Sequence, residues 1–178
     1  MTGDETADQP VTAAIDAKPA RAAALGVTLL DATAFRALLP PNTRLFGLDL
    51  GTKTIGIALS DVTRIIASSF KTLPRGKVRA DAAILSDLMA KHGVAGLVVG
   101  LPINMDGSDG PRAQSTRAFC RNLNQLLTCP ILLWDERMTT AEATRMLIQA
   151  DTSRQRRGEL IDKLAATLIL QSALDCMR

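Results

Sequence analysis

The stretch "GLDLGTKTIGIALSD", residues 47–61, decides how the chain is read. A single carboxylate, Asp49, stands in an apolar run. A Gly-Thr-Lys turn follows, and then Ile55, Ile57 and Leu59 alternate with Gly56, Ala58 and Ser60. A period of two belongs to a strand with two unlike faces. The stretch is therefore a β-hairpin, Leu45–Leu50 paired with Thr54–Ser60. Asp49 shares a face with Leu45, Gly47 and Gly51, and the two glycines leave room for a ligand beside the carboxylate. Two chemistries use such a hairpin. The carboxylate can hold a metal that cuts nucleic acid, or the turn can wrap the phosphates of ATP.

Outward from the hairpin the pattern is regular. Ser68–Leu73 suits a third strand. A helix over about Val78 to His92 ends at Gly93, with Lys91 near its C-terminus. "AGLVVGLP" reads as a fully buried strand, and its loop "NMDGSDG" leads to Pro111, well placed to open a helix running to about Leu127. "ILLW" is a further buried strand. Thr139 and Glu142 in "TTAE" form a capping box for a helix to about Ala150. "DTSRQRRG" reads as a flexible basic loop, and Glu159–Met177 as the last helix. Before the hairpin, residues 1 to about 24 lack an apolar period and read as a disordered tail. Asp31 caps a short helix over Ala32–Leu39, stopped by Pro40-Pro41. The expectation is an α/β fold: a mixed five-stranded sheet, three antiparallel strands and then parallel ones, flanked by helices. Residues 1–43 form an N-terminal extension and 44–178 a single domain.

Composition narrows the function. The 178 residues are 47% hydrophobic and 22% charged, ordinary for a globular domain. No run reaches the roughly 18 apolar residues of a membrane span. The acidic N-terminus has no apolar centre and is not a secretory signal, so a cytoplasmic protein is expected. Cys120, Cys129 and Cys176 are widely spaced without a C-x-x-C, and His92 is the one histidine. They read as idle thiols rather than a zinc site. Net charge is +3; residues 1–43 hold five acids and three bases, which leaves 44–178 at +5. That balance tolerates a polyanion as partner. Aromatics at 3%, with no Tyr, disfavour a single-strand binder built on base stacking.

Four stretches, "GLDLGTKTIGIALSD", "VVGLPINMDGSDGPRAQSTRAF", "LWDERMTTAEA" and "IDKLAATLILQSALD", in that order and spacing, resemble the YqgF family, also called RuvX, of pre-16S ribosomal RNA nucleases and Holliday-junction resolvases. The resemblance spans about residues 44–177. It implies an RNase H-like fold and metal-dependent phosphodiester hydrolysis, with Mg²⁺ or Mn²⁺, two ions, as cofactor. The implied partner is nucleic acid, precursor ribosomal RNA first and branched DNA second. A non-catalytic RNA-binding role in ribosome assembly is the rival from another class. The hairpin is also similar to the first phosphate motif of actin-like ATPases and sugar kinases. Those need two such domains around the nucleotide, and neither a second phosphate hairpin nor a Gly-rich adenosine loop is present here.

Metal-assisted hydrolysis needs hard oxygen ligands that converge from separate elements. Asp49 is the first candidate; the competing reading is an Asp that orders its own turn. Asp135 and Glu136 close the "ILLW" strand on opposite faces, so only one of them faces Asp49. The resemblance favours Glu136 and leaves Asp135 to orient Arg137 or a backbone group. Asp162 is the third. At 100° per residue it lines up with Ala166, Ile169 and Ala173, while the polar stripe runs through Lys163, Thr167 and Gln171. A carboxylate opening an apolar face is costly unless something pairs with it; the helix dipole is the competing explanation. One departure stands out. RNase H-like nucleases usually carry an acid at the end of the fourth strand, and "LVVGLPIN" has none, so the resemblance puts the substitute on the next strand, at Glu136. For phosphate contacts the candidates are Lys53 in the hairpin turn, Arg112 in the first turn of its helix, Arg137 beside Glu136, and Arg154, Arg156 and Arg157 before Asp162. Asn104 would shape the loop before Arg112. That loop's Asp106 and Asp109 oppose an anion there.

Overall fold

In the computed structural model the hairpin lies inside a six-stranded sheet. The structure describes residues 27–138 and 154–178, with backbone alone for 154–163. In chain order the elements are β1 (Thr28–Leu29), α1 (Ala32–Ala37), β2 (Arg44–Leu50), β3 (Thr54–Ser60), β4 (Ala67–Pro74), α2 (Val78–His92), β5 (Val94–Leu101), α3 (Pro111–Asn124), β6 (Ile131–Asp135) and α4 (Arg154–Cys176). The sheet order is β1-β6-β5-β2-β3-β4. β2, β3 and β4 form the expected antiparallel meander, while β5 joins β2, and β6 joins β5, in parallel. The expected mixed sheet is present, with one strand more than its pattern foretold: Thr28 and Leu29 pair with Ile131 and Leu132.

Alternation along β2 explains the layers. Phe46, Leu48 and Leu50 face a core built with Leu85 and Met89 of α2 and Phe119 and Leu123 of α3. Leu45 faces the other side, into a second core with Phe35 of α1 and Ala166, Ile169, Leu170 and Ala173 of α4. The apolar stripe Ala166–Ile169–Ala173 expected on the last helix is thus buried as read. Gly47 lets that helix lie directly on the strand: a methyl group there would stand 2.6 Å from Leu170 Cβ and 2.8 Å from the Ala166 carbonyl oxygen. Gly93 ends α2 at φ 66°, a left-handed conformation that glycine adopts without penalty. At the start of α1 the Asp31 carboxylate accepts from the backbone N–H groups of Thr33 and Ala34, as its capping role requires.

One boundary needs correction. α4 starts at Arg154, so the stretch read as a flexible basic loop has a helical backbone through Arg154, Arg156 and Arg157. Arginine and glutamine favour helix, and Gly158 costs only about 1 kcal/mol inside one. The short helix of the N-terminal extension packs on the sheet, with Phe35 fully buried in the core that holds Leu45 and Leu132. The helix expected over Thr139–Ala150 and the tail expected over residues 1–24 lie outside the described residues. No described helix is long and apolar enough to cross a membrane.

Candidate active site

Parallel strands deliver their C-terminal ends to one edge of the sheet, the usual place for a site in such folds. Asp49 stands there on β2, one residue beyond the paired Leu48 and Val99, and Glu136 follows immediately after β6. β5 lies between them and carries Gly100 at the crossing point, opposite Trp134. A methyl group on Gly100 would stand 2.6 Å from Glu136 Oε1 and 2.5 Å from Ile169 Cδ1. The Glu136 side chain therefore lies across the end of β5. Glycine at position 100 leaves room for the acid carried by the next strand.

Electrostatics link the two acids. Glu136 is pushed from an ordinary 4.5 up to about 7, first by burial and then by the negative charge of Asp49, with a smaller push from Asp135. Arg112 pulls in the opposite direction. Asp135 takes a different role, as its opposite strand face requires. Its carboxylate accepts from Arg137 Nη2 at 2.6 Å, from Nε at 3.0 Å and from the Arg137 backbone N–H at 3.0 Å. That pairing lowers the Asp135 pKa and raises that of Arg137. Arg137 is thus held by its neighbour rather than extended.

α4 runs antiparallel to β2. Its Gln171 accepts from the Ala67 N–H, and Arg178 donates to the Ile65 carbonyl, both near the start of β2, whereas Ala166 lies on Gly47. One turn before Ala166, the backbone at position 162 therefore sits at the Asp49 end of the strand. The Asp162 side chain, like those of Arg154, Arg156 and Arg157, is outside the described residues. Among the described residues no group of three His, Cys, Asp or Glu could hold a metal ion. Of the three expected ligands, the structure describes two at the site and places the backbone of the third.

A groove of about 380 Å³ opens beside Glu136, and its lining includes Asn104, Met105, Gly110, Arg112 and Arg137. Its floor loop is preordered. Asn104 Nδ2 donates to Ser108 Oγ at 2.9 Å, and the Asp106 carboxylate accepts from the Ser108 N–H and hydroxyl at 2.9 and 2.6 Å. Asp109 pairs with Arg117 at 2.6 Å. The two loop acids expected to repel an anion are therefore occupied within the protein. α3 opens with Pro111 at its first turn and has no side chain capping its N–H groups. Lys53 is exposed on the hairpin turn. Sequence reasoning missed Gly100, whose only signal was an apolar strand ending without its acid. It also missed Arg75, which carries no motif. Arg75 Nη1 donates to the Gly51 carbonyl at 2.6 Å, its backbone N–H donates to the Lys53 carbonyl, and its guanidinium lies over the Phe119 ring. It fixes the turn that follows Asp49. Cys120 and Cys129 are buried and pushed up to about 12, which keeps both as inert thiols.

The donor set suits a hard divalent cation. Asp49 and Glu136 offer carboxylate oxygens, and the charge of one resists ionisation of the other, a conflict that added positive charge removes.

Residues 43–176 match the family RuvX, described as Holliday junction resolvase. Curated relatives include a protein of Cereibacter sphaeroides, named as a candidate pre-16S rRNA nuclease, 58% identical over 79% of this chain and 88% of its own length. A relative of the same name in Paramagnetospirillum magneticum is 55% identical over 78% of this chain and 90% of its own. Among solved structures, T. thermophilus RuvC in complex with Holliday junction substrate aligns with a TM-score of 0.46 at 12% identity, covering 71% of this chain and 91% of that one.

Proposed function

Because the chain belongs to the RuvX family, we propose that it is a divalent-metal-dependent nuclease acting in 5′-end processing of pre-16S ribosomal RNA. Hydrolysis of phosphodiester bonds in a nucleic acid is the activity carried by its family and relatives. The observation that supports a catalytic rather than a purely binding role is the approach of Asp49 and Glu136 across Gly100. Burial and the Asp49 charge raise the cost of ionising Glu136, and a carboxyl with a strongly shifted pKa beside a second acid is a mark of a site built for chemistry.

In this reading Asp49, Glu136 and Asp162 hold two Mg²⁺ or Mn²⁺ ions. When bound, the ions activate water and shield the charge that develops on the leaving oxygen. Glu136 keeps a proton on its carboxyl up to about pH 7 and releases it when positive charge is placed beside it. Gly100 keeps the strand end clear so that the carboxylate can cross it. Asp135 holds Arg137 in a fixed fork at the rim of the groove, and Arg112, at an uncapped helix N-terminus, offers a cation and backbone donors to phosphate. Lys53 adds a charge on the exposed hairpin turn, and Arg154, Arg156 and Arg157 are proposed from their sequence as further phosphate contacts. In this reading recognition runs through backbone and shape.

The test is cleavage of a precursor 16S ribosomal RNA and of a four-way DNA junction side by side, with Mg²⁺ or Mn²⁺, by the wild type and by Asp49→Asn. The expected result is metal-dependent cutting of the RNA, reduced at least about a hundredfold in the variant, roughly 3 kcal/mol of barrier. Preferential cutting of the junction would reassign the substrate. Binding of RNA with no cleavage of either substrate would leave the assembly-factor reading in its place.

A further inference from the structure

A second hollow, of about 80 Å³, shares Arg112 with the Glu136 groove. Its lining includes Gly51 and Thr52 of the hairpin turn, Arg75, Arg112, and Ser115 and Thr116 of α3. We infer that this hollow is a subsite for a second, non-reacting phosphate of the substrate strand; the inference rests on the nuclease reading for the identity of that strand.

Four features carry it. Arg75, Arg112, Thr52, Ser115 and Thr116 line the hollow, and no carboxylate is among its lining residues. Two cationic side chains with no acid among the lining residues favour an anion, and the hydroxyls can donate to it. Its volume matches a small anion, since a water occupies about 30 Å³. Arg75 is held rather than free to wave. One N–H is spent on the Gly51 carbonyl at 2.6 Å, and the guanidinium lies 5.4 Å from the centre of the Phe119 ring, so its plane is set before any ligand arrives. A guanidinium carries five N–H donors, and that bond is the one hydrogen bond of the Arg75 side chain among the described residues. Finally, Arg112 lines both cavities. A strand whose reacting phosphate lies by Glu136 passes Arg112 and sets its neighbouring phosphate against Arg75. The hairpin turn then does two jobs: β2 delivers Asp49, and the next residues wall the subsite.

The experiment is a binding cycle. A labelled oligonucleotide spanning the cleavage site, and a set in which one linkage at a time is a neutral methylphosphonate, are titrated in EDTA with wild type, Arg75→Gln and Arg75→Lys. For the wild type, one linkage beside the scissile one should weaken binding about tenfold when neutralised, the loss of one charge-assisted contact. Arg75→Gln should bind the fully charged strand about tenfold more weakly and be indifferent to neutralisation at that linkage alone. Arg75→Lys should recover part of the sensitivity. If the Arg75→Gln loss is the same whichever linkage is neutral, Arg75 acts only through the turn and the subsite does not exist. Cleavage of the charged strand in Mg²⁺ is measured in parallel. A wild type that binds with this pattern and does not cut overturns the nuclease reading and leaves the subsite standing.

Discussion

Replacing Glu136 with glutamine should make the metal-free protein more stable at pH 8 while removing its activity. The sign follows from the direction of the shift. In the folded chain Glu136 titrates near 7, against 4.5 for an ordinary glutamate, so the fold prefers the protonated acid. Below pH 4.5 both folded and unfolded chains hold the proton and the group adds no pH-dependent cost. As pH rises toward 7 the unfolded chain releases the proton first, and stability is lost until the folded acid ionises too; above that the loss is constant. At about 1.4 kcal/mol per pH unit the full gap is about 3 kcal/mol. Glu136 keeps some contact with solvent, so screening reduces this to roughly 1–3 kcal/mol. Glutamine has the size of the protonated acid and no charge, so it escapes the loss. Urea unfolding in EDTA should show Glu136→Gln and wild type within about 0.5 kcal/mol at pH 4.5, and the variant ahead by about 1–3 kcal/mol at pH 8. Titrating groups far from Glu136 cancel in the difference, and the relief of Asp49 from the Glu136 charge contributes to the variant's advantage at pH 8. Added Mg²⁺ should then stabilise the wild type more than the variant, because ligand binding favours the folded state only where it binds. A variant less stable than wild type at pH 8, or a difference that ignores pH, would refute the reasoning that Asp49 and burial raise the Glu136 pKa.

Gly100→Ala and Gly47→Ala should separate site from scaffold. The first meets only the ends of two side chains, Glu136 Oε1 and Ile169 Cδ1, so melting should fall little while kcat drops at least about tenfold as Glu136 is displaced. The second meets the Ala166 carbonyl and Leu170 Cβ, and should cost about 1–3 kcal/mol on unfolding because α4 must lift from β2. Phe35→Ala should cost about 3–5 kcal/mol, since the ring is fully buried between α1 and the sheet. Deleting residues 1–24 should leave the melting temperature nearly unchanged, as their composition cannot bury a core. Neutralising Arg154, Arg156 and Arg157 together should flatten the dependence of log binding on log salt by up to about 2, at about 0.7 per single-strand phosphate contact; an unchanged slope removes them from the binding surface.

Much of this architecture is legible in the chain because the signals are local. The hairpin declares itself by a period of two, and Gly93 marks the end of α2 at the residue where the left-handed cap forms. The stripe Ala166–Ile169–Ala173 gives the buried face of α4 without any knowledge of what covers it. What escapes is what only the assembled sheet decides. A strand of two residues, Thr28 and Leu29, has no period to detect and exists because β6 offers it a parallel partner. Choosing Glu136 over Asp135 took the family resemblance, because alternation says only that they diverge. The structure supplies the physical reason: Asp135 is committed to Arg137, and Glu136 is within the field of Asp49. Arg75 belongs to no motif, and its importance comes from a turn twenty-odd residues earlier in the chain.

Glycine at position 100 and glutamate at position 136 are one solution to a problem of reach. Neighbouring strands lie about 4.8 Å apart, so β2 and β6 are separated by roughly twice that with β5 between them. An acid on β5 would sit next to Asp49, but it would also need space under α4, where Ile169 already stands. Emptying that position and crossing it with the longer acid from β6 brings a carboxylate toward Asp49 while the apolar packing of Ile169 is kept. The electrostatic cost shows on Glu136 as a raised pKa, from burial and the Asp49 charge against the opposing pull of Arg112, whereas the Arg137 pairing lowers that of Asp135. Two adjacent acids thus shift in opposite directions, Asp135 downward beside Arg137 and Glu136 upward through burial and the field of Asp49, and the proposed assignment of Glu136 to the chemistry follows that contrast.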